Sequence, residues 1–188
     1  MAATENEQAS SLKISLRPAT AGDDEFLLHI YASTRHDEMA SWGWDLAQQT
    51  GFLRMQFDVR HRGYLAAYPA AETSVVSAGG IPCGSLIVSR GRGEIRLVDI
   101  ALLSEFRGRG IGAHLLGMLL AEAARSQASL RLSVLRSNPA VHLYERLGFI
   151  ATGGDEMYAE MEWTSRPSQA EGISEHLSGE RTHAGKSE

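Results

Sequence analysis

Three glycines at alternate positions form the segment of the chain whose spacing most directly indicates binding chemistry. Residues 107–112 read RGRGIG and stand between a nearly continuous apolar run and a helical pattern. The first amides of a helix have no intrahelical acceptor, and the helix dipole makes that end positive. Glycines let a phosphate approach the backbone, and Arg107 and Arg109 add positive charge. The segment predicts an anion site, with a tight turn that only relieves steric strain as the alternative.

The same glycines fit a second pattern, the GxGxxG/A fingerprint of dinucleotide-binding proteins, through Gly108, Gly110 and Ala113. That fingerprint expects an acidic residue at the end of the next strand, and the predicted strand ends instead in Arg136, which could serve a 2′-phosphate. It also normally opens a series of βαβ units, whereas only one strand–helix pair and a final pair of strands follow here. An NADP-binding protein is therefore the weaker alternative.

A second segment with chemical potential, residues 138–149, reads NPAVHLYERLGF. Asn is a preferred helix N-cap and Pro a preferred first helical residue, so Asn138 and Pro139 predict the start of a short helix that ends at Gly148. Tyr144 lies within it. A phenol can donate a proton or a hydrogen bond, although helical spacing equally allows Tyr144 to pack on the buried face of the helix.

Asp99 is the acidic residue that the chain places in an apolar strand, over residues 94–103. An unpaired carboxylate is costly there, so we expect a partner for it, either an Arg or a backbone N–H. Strand alternation points its side chain away from Ile100 and Leu102, unless a β-bulge changes the phase. A satisfied buried residue and a catalytic residue are both open interpretations.

The elements that must position these residues alternate along the chain in the order β, α, α, β, β, β, α, β, α, β, β. Mixed pairing and a buried central strand predict an α/β layered fold with helices on both faces of the sheet. Strands are predicted over 13–17, 73–77, 84–89, 94–103, 130–134, 149–152 and 157–163, and helices after Thr20, over 45–62, from the glycine segment to 127, and over 140–147.

Composition narrows the class of protein. The chain has 188 residues, 43% apolar residues, a net charge of −5 and a single cysteine, Cys83. These values argue against an internal disulfide, a cysteine-rich metal site and broad binding to nucleic acid. We expect no metal, no nucleic-acid partner, no membrane span and a cytoplasmic protein. A leader is predicted over residues 1–11, one domain over 12–164 and a polar disordered tail over 165–188.

Together, the RxxGxG segment and the NPAVHLYERLGF segment at this distance and order resemble the GNAT superfamily of acyl-CoA-dependent N-acetyltransferases. The resemblance covers about Leu12 to Trp163. It implies a GNAT-like fold, with a mixed, mostly antiparallel central sheet, helices on both faces and a splayed central strand pair. It also implies acetyl-CoA as co-substrate. Where many members have Pro before the Arg, this chain has Ser104, which leaves that turn slightly freer.

The resemblance implies a role for each matching residue. The turn would hold the pyrophosphate of the coenzyme, β-strand backbone groups would hold its pantetheine arm and the acyl carbonyl, and Tyr144 would protonate the leaving thiolate. The residues so assigned to the coenzyme are Ile100, Leu102, Arg107, Gly108, Arg109, Gly110, Ile111, Gly112, Asn138 and Tyr144.

The general base and the acceptor are left open. An attacking ammonium must lose a proton, and the candidate bases are Asp99, Glu38, Asp37 and His36, directly or through water. The segment with Glu38, Trp42 and Trp44 corresponds to one that helps form the acceptor pocket in the family, and its aromatic residues could line that pocket or equally belong to the core. The acceptor is a small-molecule amine or a peptide or protein amino group, and the acidic balance favours a cationic one. A homodimer is one assembly that the family forms. A non-catalytic acyl-CoA-binding module on the same fold is the alternative function.

Overall fold

The computed structural model describes residues 13–35 and 43–165, and within them the elements follow the predicted order. The leader predicted over 1–11 and nearly all of the tail predicted over 165–188 lie outside these ranges. The elements are β1 Ile14–Pro18, α1 Asp24–Ser33, α2 Leu46–Ala67, β2 Ala71–Ala78, β3 Ile81–Arg90, β4 Glu94–Leu102, α3 Ile111–Ser126, β5 Ser129–Leu135, α4 Val141–Arg146, β6 Ile150–Gly154 and β7 Tyr158–Trp163.

Capping side chains stabilise the chain at the starts of the first two helical segments. Thr20 donates its backbone N–H to the Asp23 carboxylate at 2.8 Å, and this pair caps the short 3-10 turn of residues 21–23 that leads into α1. At α2, Gln48 donates its backbone N–H to Asp45 at 2.8 Å, and the Gln48 side chain accepts in return from the Asp45 N–H. Both pairs satisfy amides that the first helical turn leaves without partners.

The sheet confirms the predicted fold class. Its seven strands lie in the order β1-β2-β3-β4-β5-β7-β6, and within the described residues only β4 and β5 pair in parallel. This pairing joins 94–97 to 129–132 and then stops, although β4 continues to Leu102 and β5 to Leu135. The two central strands therefore part at their carboxyl ends. One parallel pair in a mostly antiparallel sheet also removes the doubly wound context that the NADP alternative needs.

The two faces of the sheet are buried very differently. Helices α3 and α4 cover a large apolar core, whose fully buried members include Leu115, Leu116 and Leu130. Helix α1 covers a smaller set on the other face, with Ile30 and Val75 at its centre. Helix α2 lies beside α1 on that face, and none of its 22 residues is buried. A helical pattern in the sequence therefore does not tell how deeply a helix is buried, since α2 and α3 are both long helices and only α3 has buried residues.

Helix α2 is longer than predicted, because it continues past Gly63 to Ala67. Its apolar residues Leu46 and Met55 are 80% and 54% exposed. The inward side of the helix is the mixed series Phe57, Arg60, His61 and Tyr64, which recurs at intervals of three and four residues. Apolar residues alone therefore do not mark the side of α2 that faces the sheet, since Phe57 lies on that side and Leu46 and Met55 do not.

A β-bulge in β4 places Asp99 on the α1 and α2 face. Asp99 pairs with Ile87 of β3 and Leu97 with Val88, so Val98 is one residue too many in its strand. Leu97 packs in the large core, and Ile100 packs against that same core after the bulge. Strict alternation would have put Asp99 on the face of Leu97. The predicted direction, away from Ile100 and Leu102, is confirmed, and the bulge is what makes it compatible with a buried Leu97.

Candidate functional site

The glycine segment forms the turn from β4 into α3. Gly108 and Gly110 have φ angles of +72° and +79°, and Gly110 is the N-cap residue of α3. Side chains rarely adopt this left-handed backbone, so the turn itself requires glycine at both positions. The first intrahelical bond runs from the His114 N–H to the Gly110 carbonyl at 2.9 Å. The amides of 111–113 precede that bond and face outward, as an anion site needs.

Both arginines of the segment are exposed and held beside this helix start. The Arg107 Nε donates to the Leu102 carbonyl at 2.9 Å, which ties the turn to the end of β4. The Arg109 guanidinium lies 5.4 Å from the centroid of the Phe106 ring, a cation–π distance. Each guanidinium keeps donors available, because one hydrogen bond or ring contact occupies only part of its fork. Positive charge thus adjoins the first amides of α3.

The parting of β4 and β5 beyond residues 97 and 132, called the splay below, frees backbone groups that the family resemblance assigns to the coenzyme. The Leu103 N–H donates to the Cys83 carbonyl at 2.9 Å, so these two residues form a hydrogen-bonded pair across β3 and β4. Such pairs alternate with non-hydrogen-bonded ones in an antiparallel ladder. Ile100 and Leu102 therefore direct their N–H and C=O groups away from β3, toward the gap left by β5. Of these, the Leu102 carbonyl already accepts from Arg107 and the Ile100 N–H interacts with the Asp99 carboxylate, which leaves the Ile100 carbonyl and the Leu102 N–H for the coenzyme.

Tyr144 is buried on α4, and its ring packs edge-on against Phe149 at 5.7 Å between centroids. Its hydroxyl makes no hydrogen bond within the described residues. Every side-chain oxygen there that is fully buried has a hydrogen-bond partner, so the unpaired Tyr144 oxygen must be in contact with solvent. Burial, together with the charge of Asp99, raises the pKa of Tyr144 to about 12, so the phenol stays protonated at neutral pH. The packing and donor interpretations are both compatible with this placement.

Asn138 lies between β5 and α4 and begins the turn that leads into the helix. Its Oδ1 accepts from the Ala140 N–H at 2.9 Å, and its carbonyl accepts from the Val141 N–H at 3.0 Å. The prediction of Asn138 as the N-cap is wrong by two residues, because the helix starts at Val141 and its N-cap is Ala140, which makes no side-chain capping bond. Asn138 instead stabilises the turn that precedes the helix. The side-chain NH₂ is left to donate toward the cavity described below, which Asn138 lines.

Asp99 has the partners that its burial requires. Arg60 of α2 donates from Nη2 to Oδ1 of Asp99 at 2.6 Å, and the same guanidinium donates from Nε to the Tyr64 hydroxyl at 2.6 Å. Arg60 also lies 5.6 Å from the Tyr31 ring centroid. Burial raises the pKa of Asp99, while Arg60 and the Ile100 N–H lower it in part. Because that N–H faces the splay, the carboxylate stands at the edge of the gap.

A cavity of about 400 Å³ lies beside this pair. Helices α1 and α2 form one wall, and β3 and β4 form the floor. Leu135 and Asn138, at and after the end of β5, line the cavity from the opposite side of the splay. Its lining residues are Leu27, Ile30, Tyr31, Thr34, Arg35, Phe57, Arg60, His61, Tyr64, Thr73, Ser85, Ile87, Asp99, Ile100, Ala101, Leu135 and Asn138. The cavity and the glycine turn thus meet along the last residues of β4.

Sequence reasoning missed Arg60, Tyr64 and Tyr31 as site residues. The sequence did contain a signal for them. A buried Asp99 on β4 needs a cationic partner, and α2 carries Arg60 in a series of polar and aromatic residues spaced three and four apart, which lie on one side of a helix. The other candidate bases, Glu38, Asp37 and His36, lie outside the described residues, as does Trp42. Trp44 is at the start of α2, packs edge-on against Phe52 at 5.2 Å between ring centroids, and does not line the cavity.

Within residues 13–35 and 43–165, no helix is long and apolar enough to cross a membrane. The same ranges hold no group of three or more His, Cys, Asp or Glu side chains placed to bind a metal ion.

Comparison with known structures gives one recurrent fold. The PaiA N-acetyltransferase of Thermoplasma acidophilum, solved in complex with coenzyme A, is 17% identical, with a TM-score of 0.61 over 81% of this chain and 99% of that chain. An acetyltransferase of Thermus thermophilus is 20% identical, with a TM-score of 0.58 over 81% and 97%. A GNAT family acetyltransferase of Elizabethkingia anophelis with acetyl-CoA bound is 16% identical, with a TM-score of 0.52 over 80% and 97%.

Comparison at the sequence level assigns the central part of the chain. A search of curated protein sequences gives no match. The family model of the acetyltransferase (GNAT) domain matches residues 69–151, which run from the start of β2 into β6 and include the glycine turn, the splay and α4. The predicted resemblance to the GNAT superfamily is confirmed over residues 69–151, and the chain shares its fold with solved acetyltransferases of that kind.

Proposed function

We propose that this protein transfers an acetyl group from acetyl-CoA to the amino group of an acceptor, by direct attack of the amine on the thioester. The observation that carries the proposal is the meeting of three features along the end of β4. These are the anion-binding turn at 107–112, the backbone groups freed by the splay, and a cavity with a carboxylate at its edge. Each feature corresponds to one part of the reaction.

The coenzyme side of the reaction falls to the turn and to β4. The amides of 108–112, with Arg107 and Arg109, would hold the pyrophosphate, and Asn138 would support the coenzyme from the next helix. The Ile100 and Leu102 backbone would hold the pantetheine arm and the acyl carbonyl. An N–H aimed at the thioester oxygen stabilises the charge that develops there, an effect worth about 3–4 kcal/mol in comparable acyl transfers.

Proton transfer falls to Asp99 and Tyr144. Asp99 would take a proton from the acceptor ammonium, and the support for this role is that its carboxylate lines the cavity beside the splay. Tyr144 faces the leaving sulfur in this scheme. Its pKa of about 12 lies above the ~8.5 of an ordinary thiol, so it stabilises the departing thiolate as a hydrogen-bond donor more readily than it gives up the proton.

An acyl-enzyme route has little support in this chain. Cys83 is completely buried in β3, and burial raises the pKa of its thiol. A buried, protonated thiol is a poor nucleophile, because the thiolate is the reactive form. Transfer within a ternary complex therefore fits the structure better than a covalent intermediate on cysteine.

The test is thiol release from acetyl-CoA across amines of different classes, with mass spectrometry of the product. We expect amide formation with at least one amine and none with the alcohol of the same carbon skeleton. Acetyl-CoA binding without release for any amine, small molecule or peptide, would overturn the proposal and favour a binding module. Formation of an ester from the alcohol would contradict the assignment of the amino group as acceptor.

A further inference from the structure

We propose that the cavity beside β4 takes a small acceptor that carries an amine and a carboxylate on the same carbon atom, namely an α-amino acid with an apolar or aromatic side chain. This inference rests on the proposed function and specifies its acceptor. It is carried by the Arg60–Asp99 pair, which offers two opposite charges side by side at the edge of the cavity.

Both members of the pair are within reach of a ligand. The side chains of Arg60 and Asp99 are 35% and 23% exposed, although they are joined at 2.6 Å. Within the described residues, the hydrogen bonds of Arg60 use Nε and Nη2, to Tyr64 and Asp99, and none uses Nη1. A guanidinium has five N–H donors in a planar fork that matches a carboxylate. A second carboxylate, that of the ligand, can therefore bind Arg60 without displacing Asp99.

The short separation of the two charges restricts the ligand. An ammonium that approaches Asp99 also approaches the Arg60 guanidinium, and the like charges repel unless the ligand places a negative charge there. Asp99 is the one carboxylate among the described lining residues, and Arg60 already accompanies it. A zwitterion whose two charges are one carbon apart complements the pair, whereas a simple cationic amine does not. The local arrangement thus differs from the cationic acceptor that the net charge of −5 favours.

The walls of the cavity define the rest of the acceptor. Phe57, Tyr31, Ile30 and Ile87 present aromatic and aliphatic surface around the pair. The volume of about 400 Å³ lies near the lower end of the usual ~300–1,000 Å³ for small-molecule sites. These dimensions fit an amino acid with a large apolar side chain.

The experiment compares acceptors that differ only in the carboxylate. Phenylalanine is measured against phenylalanine amide and phenethylamine, and leucine against isoamylamine, by thiol release from acetyl-CoA. We expect kcat/KM for each amino acid to exceed that of its amidated or decarboxylated partner by roughly 10- to 100-fold, the range for a hydrogen-bonded charge pair. Equal or better turnover of the amines would overturn the inference and leave the acetyl transfer intact.

Variants of Arg60 test the source of the preference. In Arg60→Gln we expect the ratio between phenylalanine and phenethylamine to fall to within about 3-fold. The ratio is taken within one variant, so a reduced folded fraction does not alter it, and Arg60→Lys supplies a charged second variant that lacks the fork. Arg62→Gln is the matched control, because Arg62 is exposed on the same helix outside the cavity. An undiminished preference in Arg60→Gln would overturn the inference.

Calorimetry separates failure of the inference from failure of the proposed function. Phenylalanine and phenethylamine are titrated into the chain saturated with coenzyme A, a measurement that needs no turnover. Binding of phenylalanine that is lost in Arg60→Gln supports the inference even if no acceptor is acetylated. Absence of phenylalanine and leucine binding in the wild-type chain overturns it.

Discussion

The two regions that meet along β4 are built in opposite ways. The coenzyme turn is local: six consecutive residues supply the left-handed glycines, the charge and the helix start. The acceptor cavity is non-local, since its ion pair joins Arg60 of α2 to Asp99 of β4 across 39 positions. The turn depends on backbone conformation and the cavity on side chains. The first is therefore sensitive to single glycines and the second to exchange of charge.

The largest effect is expected on the cavity side. Asp99→Asn removes the proposed base, and general-base catalysis is worth roughly 10²–10⁴-fold, so kcat/KM should fall by that factor while acetyl-CoA binding is retained. In the wild-type chain kcat/KM should rise with pH as Asp99 loses its proton, at a pKa that burial raises, and this rise should disappear in the variant. The measurement is a pH–rate profile of both proteins.

Asp58→Asn is the control for this change, because Asp58 is exposed on α2 and does not line the cavity. It should leave the profile unchanged. If Asp99→Asn retained both the rate and its rise with pH, the base would be another group, and the cavity would serve binding alone.

The next effect distinguishes the two faces of the sheet in stability. Leu116 of α3 is 1% exposed, and Leu116→Ala should lower the free energy of unfolding by about 2–5 kcal/mol. Met55 of α2 is 54% exposed, and Met55→Ala should change it by less than about 0.5 kcal/mol. Urea denaturation gives both values. A comparable loss in the two variants would show that α2 supports the fold as much as α3 does.

Tyr144→Phe tests the point where the two regions meet. The ring and its packing against Phe149 are kept, so the melting temperature should stay close to that of the wild-type chain. The lost hydroxyl should reduce kcat by about 10- to 100-fold, the worth of a hydrogen bond to a charged leaving group, with little change in KM for acetyl-CoA. Steady-state kinetics decide this. An unchanged kcat would leave Tyr144 with a packing role only.

The smallest effect belongs to the turn. Gly110 has a φ of +79°, so Gly110→Ala should cost about 1–2 kcal/mol of stability and weaken coenzyme A binding. Gly112 has an ordinary φ, and a Cβ there would meet Leu143 Cδ2 at 3.8 Å, a normal contact. Gly112→Ala should therefore keep stability within about 0.5 kcal/mol. Thermal unfolding with and without coenzyme A measures both, and equal losses in the two variants would contradict the backbone explanation.

What the sequence predicts well is what neighbouring residues determine. The order of elements, the glycine turn and the turn at Asn138 each follow from a few adjacent positions. The partner of Asp99 could be predicted as a type, an Arg or a backbone N–H, and both are present. Its identity as Arg60 could not, because helix α2 exposes the apolar residues Leu46 and Met55 and turns a mixed series inward. Tertiary packing, which local periodicity does not encode, decides that orientation.

The absence of buried residues in α2 has a consequence for how acceptor specificity can evolve. A helix without a buried residue tolerates substitution at most of its positions, apart from Arg60, which pairs with Asp99. The other residues that line the acceptor cavity from α2 can therefore vary between lineages while the coenzyme turn, constrained by its backbone, stays the same. The same sheet and coenzyme turn can in this way acquire new acceptors through substitutions in a single surface helix.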